Sequence, residues 1–224
     1  MNIVRAILSL FVVLGAIPIG RAQGFVNLDF EAANVAAYPP GSVPRTLGIP
    51  GWAAYISGTP QTTILYNNAT LGEASVSLQG VGGAFQTVQG QFSVVLQATF
   101  FAPDTNSAAI GQTATVPAST QSLIFWGDTS LSRAANDMDV TFNGEVIPYL
   151  PIGSGSHYTI YGANFAPFAG QFGELRFTAF NNTYAAVDNI QFSALPVPEP
   201  ARIAFAGLVA AMLVVRRWKA ISSR

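Results

Sequence analysis

The residues able to do chemistry in this 224-residue chain are few, and their spacing is poor for catalysis. His157, the sole histidine, lies in GSGSHYTIYG, so a Ser-His-Asp arrangement would have to recruit a distant serine. No Gly-x-Ser-x-Gly element follows a strand to supply an activated nucleophile. Glu73, Glu145 and Glu174 could in principle pair for glycoside hydrolysis, one carboxylic acid protonating the leaving oxygen and the other attacking or activating water. Glu145 follows a turn and Glu174 alternates with apolar residues, which reads as solvated rather than convergent. Asp137 and Asp139 in NDMDV resemble a fragment of a metal loop, but the Asp-x-Asp-x-Asp-Gly spacing is missing. With no cysteine, disulfides, thiolate metal sites and cysteine nucleophiles are excluded.

Aromatic rings offer a different chemistry, because a flat ring can cover the apolar face of a sugar while its polar edge stays wet. Trp126 sits in SLIFWGD, a continuously apolar run that reads as a buried strand. Trp52, after Gly51, is the candidate ligand platform, with a core position as its alternative.

The elements that must carry these residues are strands. In QFSVVLQATFFA, Phe92, Val94, Leu96, Ala98 and Phe100 share one face while Ser93, Gln97 and Thr99 take the other. GELRFTAF directs Leu175, Phe177 and Ala179 inward and Glu174, Arg176 and Thr178 outward, and YAAVDNIQFSAL supplies a further strand. DVTFNGEVIPYL is a hairpin signal, since Asn143-Gly144 can take the positive φ angles of a type I′ turn. Pro148 then marks an edge or a strand end. Further strands are expected over 25–30, 51–56, 62–66, 74–78, 84–88, 123–126 and 157–161, and the Pro-rich stretch 38–50 reads as a loop with no room for a regular element. Ten or so short strands with Gly and Pro turns predict an all-β, antiparallel β-sandwich.

Charge is segregated. Between Gln23 and Pro198 only Arg45, Arg133 and Arg176 are basic, against ten acids, so the body carries a net charge of 3 − 10 = −7. That sign repels phosphate backbones and argues against nucleic-acid binding. The remaining basic residues flank the two ends. Arg5 precedes an apolar run over 6–19 and small residues follow, which predicts a signal peptide cleaved after Ala22. Ile203 to Val215 is a second apolar run closed by Arg216, Arg217 and Lys219, the pattern of a membrane-spanning helix with its basic end in the cytoplasm. The chain thus divides into 1–22, a body over 23–195, and a tail over 196–224.

The tail carries a specific likeness. Val197-Pro198-Glu199-Pro200, an apolar run and then Arg216-Arg217 resemble the PEP-CTERM sorting signal of Gram-negative bacteria that make exopolysaccharide. The resemblance implies transient residence in the inner membrane, processing near the Pro-Glu-Pro by an exosortase, and delivery to the cell surface or extracellular matrix. Two prolines around Glu199 keep that segment extended, as a protease cleft requires. An ordinary tail anchor is the alternative.

A second likeness covers the body. NLDFE at 27–31, Gly51-Trp52 and AVDNIQFS at 186–193 resemble the first strand, early tryptophan and last strand of galactose-binding-like jelly rolls. In calcium-bearing relatives an acid after the first strand and an Asp in the last strand help hold a structural ion, and Glu31 and Asp188 match those positions. Surface or turn-capping carboxylates are the alternative reading. Together these features lead us to expect a non-enzymatic exported β-sandwich with a structural or adhesive role and carbohydrate contacts, exopolysaccharide among them. A secreted glycosidase or esterase is the rival expectation.

Overall fold

The computed structural model describes residues 24–99, 106–128, 138–180 and 183–197. The processing and anchoring residues Ala22, Pro198, Glu199, Pro200, Arg216 and Arg217 lie outside them, as does Asp137. No helix among the described residues is long and apolar enough to cross a membrane.

Fourteen strands run in chain order through the described residues: β1 (Gly41–Pro44), β2 (Ala53–Ile56), β3 (Thr59–Gln61), β4 (Thr63–Tyr66), β5 (Ser75–Gly80), β6 (Phe92–Gln97), β7 (Ala108–Thr115), β8 (Ser122–Asp128), β9 (Met138–Phe142), β10 (Glu145–Val146), β11 (Tyr149–Ser154), β12 (Tyr158–Asn164), β13 (Phe172–Ala179) and β14 (Tyr184–Ser193). They form an eight-stranded sheet, β1-β4-β5-β6-β14-β8-β12-β11, and a six-stranded sheet, β10-β9-β13-β7-β2-β3. Pairing is antiparallel between named strands except where β4 meets β5, with Leu65 opposite Ser77 and Tyr66 opposite Leu78. The expected all-β sandwich is therefore the fold.

Period-two alternation builds the core. Leu175, Phe177 and Ala179 of β13 point inward, as do Val94 and Leu96 of β6, Leu123 and Phe125 of β8, and Val187 of β14. Phe125 meets Phe177 edge-on across the two sheets at 5.3 Å between ring centroids. The Asn143-Gly144 hairpin forms between β9 and β10, with positive φ at both turn residues (50° and 82°). β10 ends before Pro148, as expected.

Three local expectations are corrected. Residues 25–30 are not a strand, because Asn27 and Phe30 take positive φ angles of 50° and 58° and the segment turns. Residues 84–88 form a loop rather than a strand. Conversely, the Pro-rich stretch holds β1 and a single helical turn, Arg45–Gly48. The sheet edges are short or interrupted: β10 has two residues, β3 contains Pro60, β1 ends on Pro44, and β11 carries a bulge after Pro151.

Candidate carbohydrate-contact face

The same alternation that fills the core leaves a second set of side chains on the outer face of the eight-stranded sheet. From β5 these are Ser75, Ser77 and Gln79; from β6, Ser93, Val95 and Gln97; from β14, Tyr184, Ala186 and Asp188; from β8 and β12, Trp126 and Tyr158. Val95 and Ala186 are buried there with Val88, and Phe85, Trp126, Tyr158 and Tyr184 pack half-buried around them. Trp126 and Tyr158 stack face to face, with ring centroids 4.4 Å apart and planes inclined by 5°, and the Phe85 and Tyr184 centroids lie 5.2 Å apart. Asp188 is the face's one carboxylate among these positions, and it is fully buried.

Loop 81–91 folds over this face and is fastened by five side chains, Gln79, Ser93, Asp188, Glu31 and His157. Gln79 Oε1 accepts from Phe85 N–H (3.2 Å), and Ser93 Oγ accepts from Val88 N–H (2.8 Å). Asp188 Oδ2 accepts from Gln89 N–H (3.0 Å) and from the Ser93 hydroxyl (2.7 Å), while its Oδ1 accepts from Asn189 N–H (2.7 Å). Glu31 Oε1 accepts from Gln91 N–H (2.7 Å) and Phe92 N–H (3.1 Å). Gly90, at φ +64°, is the close approach that makes this last contact feasible, since a Cβ there would collide with the Glu31 carboxylate. His157 Nε2 faces the Val88 carbonyl at 3.1 Å, so that nitrogen carries the proton, and Nδ1 accepts from Ser156 Oγ at 2.9 Å.

Glu31 and Asp188 each hold a different part of the same loop backbone, Asp188 at Gln89 and Glu31 at Gln91 and Phe92. The groups aimed at them are N–H and O–H donors, whereas calcium needs six to eight oxygen ligands. Among the described residues no group of three or more acidic or histidine side chains could hold an ion. The pair as placed fits a clamp on the loop backbone and does not fit a cation cage. Melting the protein with and without chelator is expected to give superimposable transitions; a midpoint lowered by chelator would restore the calcium reading.

Burial pushes the Asp188 carboxyl up to about 7 despite the lowering effects of Ser93, Asn189 and Gln89, with Glu31 adding a further small rise. A carboxylate in such surroundings is costly to ionise even when its oxygens are hydrogen-bonded.

The other candidates are scattered. Trp52 is corrected from platform to core: it is fully buried, its Nε1–H donates to Asn27 O at 2.9 Å, and its ring packs between Phe30 and Phe177. Trp126, read from the sequence as buried, is the half-exposed ring. Glu73 is exposed between β4 and β5, and Glu145 is exposed on β10. Glu174 lies on the other sheet, paired with Arg176 at 3.0 Å and accepting from Tyr55 O–H at 3.2 Å; the guanidinium covers the Tyr55 ring at 4.1 Å. Desolvation, helped by the Glu174 charge, raises the Tyr55 phenol above its ordinary value. Asp139 sits half-buried on β9. Tyr184 and Phe85 were not singled out by the sequence, whereas Tyr158 is among the rings it offers for sugar contact; the available signal was parity, since Tyr184 and Ala186 fall opposite to the core positions Ala185 and Val187.

No known family's sequence profile matches this chain, and no curated protein matches it. Among solved structures it is similar to the enzymatically active domain of bacteriophage CBA120 tailspike protein 4, at 14% identity and a TM-score of 0.37 over 64% of this chain and 19% of that one. It is also similar to a family 11 carbohydrate-binding module from Clostridium thermocellum, solved with a β-1,3-1,4-mixed-linked tetrasaccharide, at 13% identity and a TM-score of 0.37 over 71% of this chain and 99% of that one. The chain therefore spans about a fifth of the tailspike domain's length. These likenesses place no residue.

Proposed function

We propose that this protein is an exported, non-catalytic β-sandwich that contacts neutral carbohydrate through the outer face of its eight-stranded sheet. The observation that carries the reading is the parallel Trp126–Tyr158 pair, half-buried beside the Phe85–Tyr184 pair, because these rings are what the face presents while its Ser75, Ser77, Gln79, Ser93 and Gln97 side chains are buried. Such rings bind sugar by apolar contact without a charged partner. Uncharged surroundings of this kind favour hydroxyl groups over phosphate or sulfate.

The non-catalytic part of the reading is supported by how the carboxylates are engaged. Glu174 is held by Arg176 and Tyr55, and Glu31 and Asp188 by loop donors. The Ser156–His157 contact joins adjacent residues, and its imidazole is turned toward a carbonyl rather than a carboxylate. Export and sorting through the Pro-Glu-Pro tail to the cell surface or matrix, with an exosortase as processing partner, complete the proposal and rest on the tail sequence.

Affinity electrophoresis in gels containing neutral polysaccharides is the test. Retardation is expected, and Trp126→Ala should weaken it at least about tenfold, equivalent to about 1.4 kcal/mol, with little change in melting temperature. Free migration in every polysaccharide, or full retention by Trp126→Ala, would sink the carbohydrate reading. Turnover of a glycoside or ester abolished by Glu73→Gln or His157→Ala would favour the hydrolase instead. For sorting, the mature chain is expected to lack Met212 and Trp218 by mass.

A further inference from the structure

Gly162 on the outer face of β12 is buried although it has no side chain. Two neighbours close over it: a Cβ built there would lie 3.0 Å from Ile152 Cδ1 and 3.2 Å from Val197 Cγ1. Val197 reaches this notch because the chain turns back over the sheet after β14. Gln121 N–H donates to Ser193 O at 2.7 Å, Leu195 N–H donates to Ser193 Oγ at 3.0 Å, and Ser122 Oγ donates to Leu195 O at 2.7 Å. Residues 194–197 are therefore a strap tied at Ser122 and seated on Gly162, while Leu195 itself projects outward, 73% exposed.

We infer that Gly162 and Ser122 are positioning residues for cleavage of the tail: they form an intramolecular binding site for the segment just before Pro198-Glu199-Pro200, and the motif enters a protease cleft only when Val197 lifts off. This rests on the processing proposed above. A protease takes its substrate as an extended strand with residues on both sides of the cut, so a folded surface one residue upstream has to release its end first. Proteolysis through such a local opening follows the population of the open form. The glycine permits this close seating, because a Cβ at 162 would crowd Ile152 and Val197 at 3.0–3.2 Å and a branched side chain would push Val197 off. The sheet thereby ties tail cleavage to correct folding of β8, β11 and β12.

The chain contains no cysteine, so single cysteines report cleanly on docking. In the full-length protein, the thiol of Val197→Cys is expected to react with a disulfide reagent about tenfold more slowly than that of Leu195→Cys, as suits a half-buried valine position. Adding Gly162→Val, or Ser122→Ala should the first variant fold poorly, should remove that protection. In producing cells, the same two variants should lose their tails about threefold to tenfold faster. Equal reactivity of the two thiols would overturn docking, and unchanged processing in both undocked variants would overturn gating. If the tail stays on in every chain including the wild type, the processing reading fails and gating with it, while slow labelling at 197 would still uphold the seat on Gly162.

Discussion

Trp52→Ala is expected to lower stability by about 3–5 kcal/mol, the range for removing a large aromatic from a packed core, and so to lower the melting temperature by about 6–20 °C for a domain of this size. Its indole is fully buried, centred 5.6 Å from the Phe30 ring and 6.4 Å from that of Phe177. It also ties the entry segment to the sandwich, because its N–H donates to Asn27 O, while Arg45 donates to the Trp52 carbonyl. Truncation therefore leaves a cavity and an unpaired carbonyl in the same place. Trp52→Phe should retain much of the packing and cost about 1–3 kcal/mol. Thermal or urea unfolding measures both, and a Trp52→Ala protein that melts like the wild type but loses polysaccharide binding would return Trp52 to the role of platform.

The second large effect concerns Asp188 and pH. In the folded protein its carboxyl titrates at about 7, against an ordinary value of 3.8. The folded state therefore binds this proton more tightly than the unfolded chain does. The resulting stabilisation is fully present below about 3.8 and is lost as pH rises through about 7. The window corresponds to at most on the order of 4 kcal/mol. Asp188→Ala removes the acceptor for Gln89 N–H, Ser93 O–H and Asn189 N–H. At pH 5 the substitution is expected to cost about 2–4 kcal/mol. At pH 8 the wild type carries the buried charge and the difference should shrink. Urea titrations of both proteins at the two pH values check this: a gap that stays constant or widens at pH 8 would show that burial does not govern this carboxyl.

How much of this could be read from the chain depended on whether the two faces of a strand differ in polarity. β13 alternates cleanly, so Leu175, Phe177 and Ala179 were assignable to the core from the sequence, and Asn143-Gly144 announced its own turn. β8 does not alternate: in SLIFWGD both faces are apolar, and nothing in the run distinguishes Phe125, in the core, from Trp126, on the outer face. β7, AAIGQTAT, is built largely from small residues at the heart of the six-stranded sheet and gave no strand signal at all. Phe25 to Phe30 has strand-like composition, yet its left-handed residues bend it. The candidate face was hidden for a related reason. Its members come from β5, β6, β8, β12, β14 and a loop, and only the strand order β5-β6-β14-β8-β12 makes them neighbours. Glu31 and Asp188 were found by resemblance, but their joint hold on loop 81–91 is a tertiary fact.

The blunt margins of the two sheets bear on how the protein behaves when its copies are crowded together. A sandwich whose outermost strands are two to six residues long and broken by Pro44, Pro60 or a kink after Pro151 offers neighbouring copies no continuous ladder to extend. Copies packed side by side would resist zipping into cross-β fibres, leaving flat-surface and side-chain contacts to govern how densely such molecules can decorate their surroundings.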